Sequence, residues 1–269
     1  MSNIQASTVL VTGGASGIGR LMVEGALQRG ARHLVVWDIS EKNLRETVEP
    51  LRHSGSPVSG ETLDVSDTAA VQQAARRVQE TVGPVDILIN NAGVVVGKMF
   101  HEHSHRDVER TLSVNTSALM HATLEFLPQM MSRRKGHIVN ISSAAGLVSN
   151  PRMSVYCASK WAVIGWSESL RLEMERLDTG VRITTVMPYY IATGMFTGVR
   201  SVFPILQPEP AAKKILDAVE RDKILLSMPW FIHLLPLAKG ILPSRVFDWV
   251  VGDVLGIYRT MDEFVGHKG

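Results

Sequence analysis

The chain has 269 residues, 28 Lys plus Arg against 26 Asp plus Glu, a formal charge of +2 at neutral pH and a single cysteine, Cys157. That length suits one domain with room for a short C-terminal elaboration, and it can bury a large core without covalent staples. One cysteine excludes an internal disulfide and suits a reducing compartment, and the near-balanced charge offers no basic face to nucleic acid.

The first residues, Met1 to Ser7, show no charged-then-apolar pattern, so no secretory leader is expected there. An apolar run then predicts a buried parallel strand over Val9–Thr12, followed by Gly13-Gly14-Ala15-Ser16-Gly17-Ile18-Gly19 and a helix over Leu21–Gln28. Glycines at 13, 17 and 19 permit a tight turn, close approach of backbone to a pyrophosphate, and close helix–strand packing. Amides at the helix start would face the phosphate oxygens. A second strand, His33–Asp38, ends on a carboxylate nineteen residues past Gly19. That is close to the roughly 20 expected of an acid that bonds the ribose hydroxyls. Asp38 would repel a 2′-phosphate and neither Ser16 nor Ile39 is cationic, so NAD is favoured over NADP.

Further strands are predicted over Val58–Asp64, Asp86–Asn90, His137–Ser142, Val181–Met187 and Lys223–Met228, alternating with helical patterns. This alternation predicts an α/β fold, a doubly wound parallel sheet covered by helices on both faces. Ligands of such sheets bind at the carboxyl ends of the strands, where Gly13, Asp38, Asp64, Asn91 and Ser143 all fall. Arg106 to Met131 reads as one helix with Asn115 inside it, a locally unfavourable choice that fits a bend. Arg133-Arg134-Lys135 reads as a helix end closed by Gly136. His101, His103 and His105 invite a metal reading, but Ser104 with Asp107 reads better as a helix cap, and no metal site is expected.

Tyr156 and Lys160, at i and i+4, share one face of a helix. The ammonium is expected to favour the phenolate and lower a value that is ordinarily near 10. The alternative reading of Lys160 is a solvated lysine, but Trp161, Ala162, Val163 and Ile164 beside it imply burial. Cys157 reads as a small buried core residue.

Taken together these motifs resemble the short-chain dehydrogenase/reductase family in its single-domain form, from Thr8 to about Thr193. The resemblance implies a catalytic set of Asn115, Ser143, Tyr156 and Lys160, with Ser143 preferred over Ser142 by its thirteen-residue interval to the tyrosine. It implies that the cofactor touches Gly13, Ser16, Gly17, Ile18, Gly19, Asp38, Asp64, Val65, Asn91, Ala92, Gly93, Tyr156, Lys160, Pro188, Ile191 and Thr193. Asp64-Val65 would contact adenine at the end of the third strand, and Thr193 the nicotinamide carboxamide. Where the family has Pro-Gly after the sixth strand this chain has Pro188-Tyr189, which should stiffen the loop and set a phenol beside the nicotinamide pocket. Tyr189 and Phe196 are therefore the expected substrate contacts.

The tail is similar to the retinol and hydroxysteroid dehydrogenase branch, which implies a hydrophobic alcohol or its carbonyl as substrate. The expected activity is NAD-dependent hydride transfer. A non-catalytic dinucleotide sensor and an epimerase or dehydratase that retains NAD are the alternatives. The family also implies a homodimer or homotetramer. Residues 1–228 are expected to form the dinucleotide-binding catalytic part and 229–269 a helical extension of the same domain. Prolines at 229, 236 and 243 break the apolar run there, arguing against a membrane span. A substrate lid, a subunit contact or a membrane-surface patch remain for it, in a protein expected in the cytoplasm with peripheral membrane contact as an option.

Overall fold

The computed structural model describes residues 2–266. Within them seven parallel strands form one sheet in the order β3-β2-β1-β4-β5-β6-β7. The strands are β1 Thr8–Thr12, β2 His33–Asp38, β3 Val58–Thr62, β4 Ile87–Asn90, β5 Gly136–Ile141, β6 Val181–Pro188 and β7 Leu225–Met228. The crossovers are α1 Gly17–Gln28, α2 Glu41–His53, α3 Thr68–Thr81, α4 His105–Leu112, α5 Ala118–Ser132, α6 Ser154–Arg176 and α7 Pro208–Glu220. This is the doubly wound arrangement that the alternating pattern predicts.

The period-2 side-chain alternation of the strands divides the core in two. Val9, Val11, Leu34 and Val36 face one layer with Met22, Ala26, Ile215 and Val219 of α1 and α7. Leu10, Val35 and Trp37 face the other with Val71, Val78, Phe126 and Leu170 of α3, α5 and α6. Such double-sided burial explains why these strands read as unbroken apolar runs. Because the strand order reverses between β1 and β4, the loops leaving their carboxyl ends part and open a crevice.

Several local expectations need correction. β3 ends at Thr62, so Asp64 lies two residues beyond it in a turn, where its Oδ1 accepts from the amide and hydroxyl of Ser66 at 2.9 and 2.7 Å. The stretch expected as one helix over 106–131 is helical throughout, with the irregularity expected at Asn115 present as a π turn, Ser113–Ser117, between α4 and α5, where Asn115 and Thr116 bond other segments. Gly136 does not close α5. Arg134 takes the left-handed conformation after the helix, and Gly136 opens β5 where any side chain would overlap Met130. Arg133 and Lys135 instead serve Asp86, at 2.7 and 3.6 Å. Burial raises that carboxyl, but Arg133, the Thr8 amide and Lys135 outweigh it and hold it below its ordinary value. Ser104 does cap α4 in a reciprocal box with Asp107.

After β7 the chain makes a 3-10 segment, Trp230–Leu234, then the short helices α8 Leu235–Ile241 and α9 Ser244–Asp248, a π turn Trp249–Val254 and a last 3-10 turn Ile257–Arg259. Phe247 and Val251 pack with Val148, Leu235, Leu242 and Ile257, which fastens this extension beside the loop after β5. The last three residues of the expected 229–269 extension lie outside the described residues. No helix among the described residues is long and apolar enough to cross a membrane.

Candidate active site

The crevice is a cavity of about 920 Å³, partly open to solvent, along the carboxyl ends of β1, β4, β5 and β6. Its floor is the glycine-rich turn. Gly17 has φ +50°, a conformation glycine tolerates. A methyl on Gly19 would overlap the carbonyl oxygen of Gly13, and one on Gly13 would stand 2.9 Å from Ala92 Cα. Only glycine lets these two turns touch. Asn91 sews them together: its Nδ2 donates to the carbonyls of Thr12 and Gly13, both at 3.0 Å, while its amide donates to Thr12 Oγ1 at 3.0 Å. Ser16, Gly17, Ile18, Gly93, Ile191 and Thr193 line the same space.

Asp38 is buried, and both its oxygens already have partners. Oδ2 accepts from the Ala15 amide and Oδ1 from the Ser40 amide, each at 3.0 Å. The carboxylate thus fixes the glycine turn as well as standing at the end of β2, a bond the sequence does not announce. Asp38, Asp64 and Val65 do not line the cavity itself.

Asn115 is fully buried at the π turn. Its Oδ1 accepts from the Val94 amide at 2.8 Å, and its Nδ2 donates to the Val94 carbonyl at 2.9 Å and to Ser159 Oγ at 3.1 Å. A methyl built on Gly93 would lie 3.4 Å from Asn115 Oδ1 and 3.7 Å from Lys160 Nζ. Asn115, Lys160 and the loop after β4 therefore border one small space. Beneath them Asn90 and Asn140 form a buried polar rung, Nδ2 to Oδ1 at 2.9 Å, extended by Thr123 and Ser167. This rung pins β4 and β5 to α5 and α6, and nothing in the linear sequence marks it.

Tyr156 and Lys160 come from the first turns of α6, 5% and 4% exposed. Lys160 Nζ donates to the Ile141 carbonyl at 3.0 Å and stands 5.7 Å from the centre of the Tyr156 ring. Burial pushes the Lys160 ammonium down to about 8. Burial likewise pushes the Tyr156 phenol above its ordinary value, and the Ser143 hydroxyl opposes this by bonding it. The lowering expected from Lys160 is not found in this arrangement: removal from water raises the phenol, and the ammonium donates to the Ile141 carbonyl. Ser143 follows β5, accepts from the Ala145 amide at 3.1 Å and caps the short turn Ala144–Gly146. Its neighbour Ser142 instead donates to the Lys160 carbonyl at 2.9 Å, a supporting bond that sequence spacing alone did not reveal.

A second cavity of about 810 Å³ adjoins the first, and Ser143, Tyr189 and Phe196 line both. Apart from Asn150 and Tyr190 its other walls are apolar, among them Val148, Met153, Phe203, Phe231, Ile232, Leu235, Val251, Leu255 and Ile257. Tyr189 packs edge-on against Tyr190 at 4.7 Å and bonds Ser201 Oγ at 2.8 Å, and Phe196 stands edge-on to Tyr156 at 6.1 Å. Phe231, Leu235 and Val251 lie at least 75 residues along the chain from Tyr156. The signal that could have found them is the apolar run after residue 224, which does not say which way its side chains point.

A seven-stranded parallel sheet, a glycine turn at its switch point and a buried tyrosine and lysine on the neighbouring helix define a dinucleotide-dependent oxidoreductase. The family model described as short chain dehydrogenase matches residues 7–202, and the chain belongs to that family. It is 38% identical over 272 residues to epidermal retinol dehydrogenase 2 of Mus musculus, covering 99% of this chain and 87% of that one. It is 36% identical to short-chain dehydrogenase/reductase 3 of Homo sapiens, covering 99% and 89%. A crystal structure of a short-chain dehydrogenase/reductase from Burkholderia phymatum, in complex with NAD, matches 93% of this chain and 96% of its own with a TM-score of 0.81 at 28% identity. The chain is an oxidoreductase of the retinol dehydrogenase branch with a nicotinamide cofactor.

Proposed function

We propose that the protein interconverts a long apolar alcohol and its aldehyde or ketone, using NAD, with Tyr156 as the proton acceptor and donor. The observation that carries this reading is the junction of the two cavities at Ser143, Tyr189 and Phe196, which joins a polar crevice to an apolar pocket. The printed names of the relatives, retinol dehydrogenases among them, support an apolar alcohol.

The glycines at 13, 17 and 19, with Ser16, Ile18, Asn91, Ala92 and Gly93, would hold the dinucleotide, and Pro188, Ile191 and Thr193 would flank its reactive end. Asp38 at the end of β2, with Asp64 and Val65 beyond β3, would bound the adenosine side. An uncharged Ile39 beside Asp38 supports NAD over NADP. A bound nicotinamide would supply the hydride acceptor and, in its oxidised form, a positive charge in the crevice. Ser143 holds the substrate oxygen, Tyr156 takes its hydroxyl proton, Lys160 supplies positive charge beside the phenolate, and Asn115 borders the space through which that proton reaches water. Positioning and electrostatics are the protein's contribution.

Tyr156→Phe keeps the ring and removes the acid. General acid–base groups contribute about 100- to 10,000-fold, so alcohol oxidation followed at the NADH absorbance should fall by that factor while NADH affinity stays close to wild type. Undiminished turnover in this variant would remove Tyr156 from the chemistry.

Residues 229–266 serve in this reading as the lid of the apolar pocket. On their outer side Trp230, Leu234, Leu237, Ile241 and Trp249 are exposed, Trp230 by 72%. Tryptophan and aliphatic side chains of this kind suit the lipid headgroup boundary. Peripheral attachment there would let an apolar substrate pass from lipid to pocket. Exposed Leu124, Leu172 and Leu177 on or just beyond α5 and α6 support a homo-oligomer built on those helices.

A further inference from the structure

The tail after the last 3-10 turn runs back across the site and touches it from two sides. Thr260 Oγ1 accepts from Asn150 Nδ2 at 2.7 Å and pairs with the Tyr190 hydroxyl at 2.9 Å, and Met261 beside it is buried. The Arg200 amide donates to the Thr260 carbonyl at 3.2 Å, the Val265 amide to the Thr197 carbonyl at 3.0 Å, and Arg200 pairs with Glu263 at 2.7 Å. These bonds stitch the tail to the segment that carries Phe196.

Phe264 goes further than the stitching requires. Its ring rests on Gly97 so closely that any side chain at 97 would overlap it. Gly97 lies on the loop after β4, the loop that carries Asn91, Ala92 and Gly93 and that Asn115 grips at Val94. On its other side Phe264 meets Phe196 with ring centres 6.5 Å apart, and Phe196 in turn stands edge-on to Tyr156. One half-buried ring therefore spans the crevice loop and the substrate segment.

We propose that Phe264 is a positioning residue, a wedge between the loop after β4 and Phe196 that sets where Phe196 stands over Tyr156 and keeps water from the phenol. The pH part of this inference rests on Tyr156 being the acid–base group. Without the wedge Phe196 gains room, the mouth of the apolar pocket loosens, and water reaches the phenol. Burial holds that phenol high, so hydration should let it ionise at lower pH.

The test compares Phe264→Ala, Phe264→Leu and Gly97→Ala with the wild-type enzyme. Gly97→Ala attacks the same contact from the opposite side by displacing the ring. Hydrogen exchange over residues 194–200 reads the wedge without any turnover. KM for a long-chain primary alcohol and the pH midpoint of kcat/KM read its effect on chemistry. A looser pocket mouth holds a long alcohol less tightly, and a lost contact of about 1.4 kcal/mol is tenfold in affinity, so KM should rise about tenfold in Phe264→Ala and Gly97→Ala. In both variants exchange should quicken and the pH midpoint should move down. Phe264→Leu, which keeps an apolar plug, should recover most of each effect. A fall in melting temperature with KM, pH midpoint and exchange unchanged would reduce Phe264 to a packing residue and overturn the proposal. If the wild-type enzyme oxidises no alcohol, the functional reading fails, and exchange over 194–200 still decides the wedge.

Discussion

The crevice and the apolar pocket share three residues and are held together in opposite ways. In the crevice each turn leaves a strand and is fixed by directional bonds: Asn91 to Thr12 and Gly13, Asp38 to Ala15, Asn115 to Val94, Lys160 to Ile141. The pocket takes its walls from the loops after β5 and β6 and from the C-terminal extension, and apart from the bonds of Tyr189 to Ser201 and of Asn150 and Tyr190 to Thr260 its contacts are between rings and aliphatic chains. Hydrogen bonds with buried partners tolerate little change, because the partner left behind is stranded. Apolar walls accept volume-conserving swaps at small cost. The crevice should thus be brittle and the apolar pocket adaptable.

The largest expected difference between the two regions is in their response to pH. Lys160 is buried in the crevice and its ammonium is pushed down to about 8 from 10.5. Because the folded value lies below the unfolded one, the unfolded chain binds more protons between pH 8 and 10.5, and stability rises with pH across that window. The displacement corresponds to about 3 kcal/mol at most. Tyr156 acts with the opposite sign: its folded value is raised, so its contribution is intact below about pH 10 and is lost as pH rises beyond. The clean window for Lys160 is therefore pH 8 to 10. The stability of wild type relative to Lys160→Met, read from urea melts, should improve steadily across it. A constant difference between the two proteins would show that Lys160 is not desolvated as the crevice requires.

The pocket should answer to volume rather than to pH. Leu235 lines it from the extension and takes no part in the crevice. Leu235→Ala removes part of a contact whose full burial is worth about 1.5–3 kcal/mol, so KM for a long-chain alcohol should rise roughly tenfold. NADH affinity, by fluorescence titration, should not move. A KM effect equal for long and short alcohols would mean that the extension does not line the path of the chain.

The same contrast decides what was legible in the linear sequence. The strands, their parallel direction and most of the crevice residues were legible because each crevice motif sits beside a strand end, so spacing along the chain mirrors proximity in space. The π turn at Asn115 was legible as a bend, because an amide in a helix interior asks for a partner. Bonds that leave the motif were not legible: the Asn90–Asn140 rung, Ser142 to the Lys160 carbonyl, and Asp38 to Ala15 join residues 18 to 50 positions apart. The direction of the Tyr156 displacement was misjudged for a related reason, since an i, i+4 pattern gives nearness to Lys160 but not the degree of burial. The apolar tail was visible as composition, and its inward and outward sides were not, because the segment is a string of short turns without one helical period.

The subtlest effect concerns Asp38, which belongs to the crevice yet has two tasks that substitution can separate. Asp38→Ala with Ile39→Lys would remove the carboxylate proposed to oppose a 2′-phosphate and add a cation to attract one. From selectivity alone NADP should gain what NAD loses. The bond to the Ala15 amide changes that expectation, because the same substitution frees the glycine turn that both cofactors share. A hydrogen bond to a charged group contributes about 1.5–3 kcal/mol, and its loss should weaken both dinucleotides together. The predicted outcome is a ratio of NADP to NAD affinity that rises severalfold while neither affinity reaches that of NAD in the wild type. Asp38→Asn with Ile39→Lys, which keeps an acceptor for Ala15, should show the same change in ratio with a smaller common loss. If the Asn variant loses as much common affinity as the Ala variant, the Ala15 bond does not order the turn; if the ratio stays fixed in both, Asp38 does not discriminate between the cofactors.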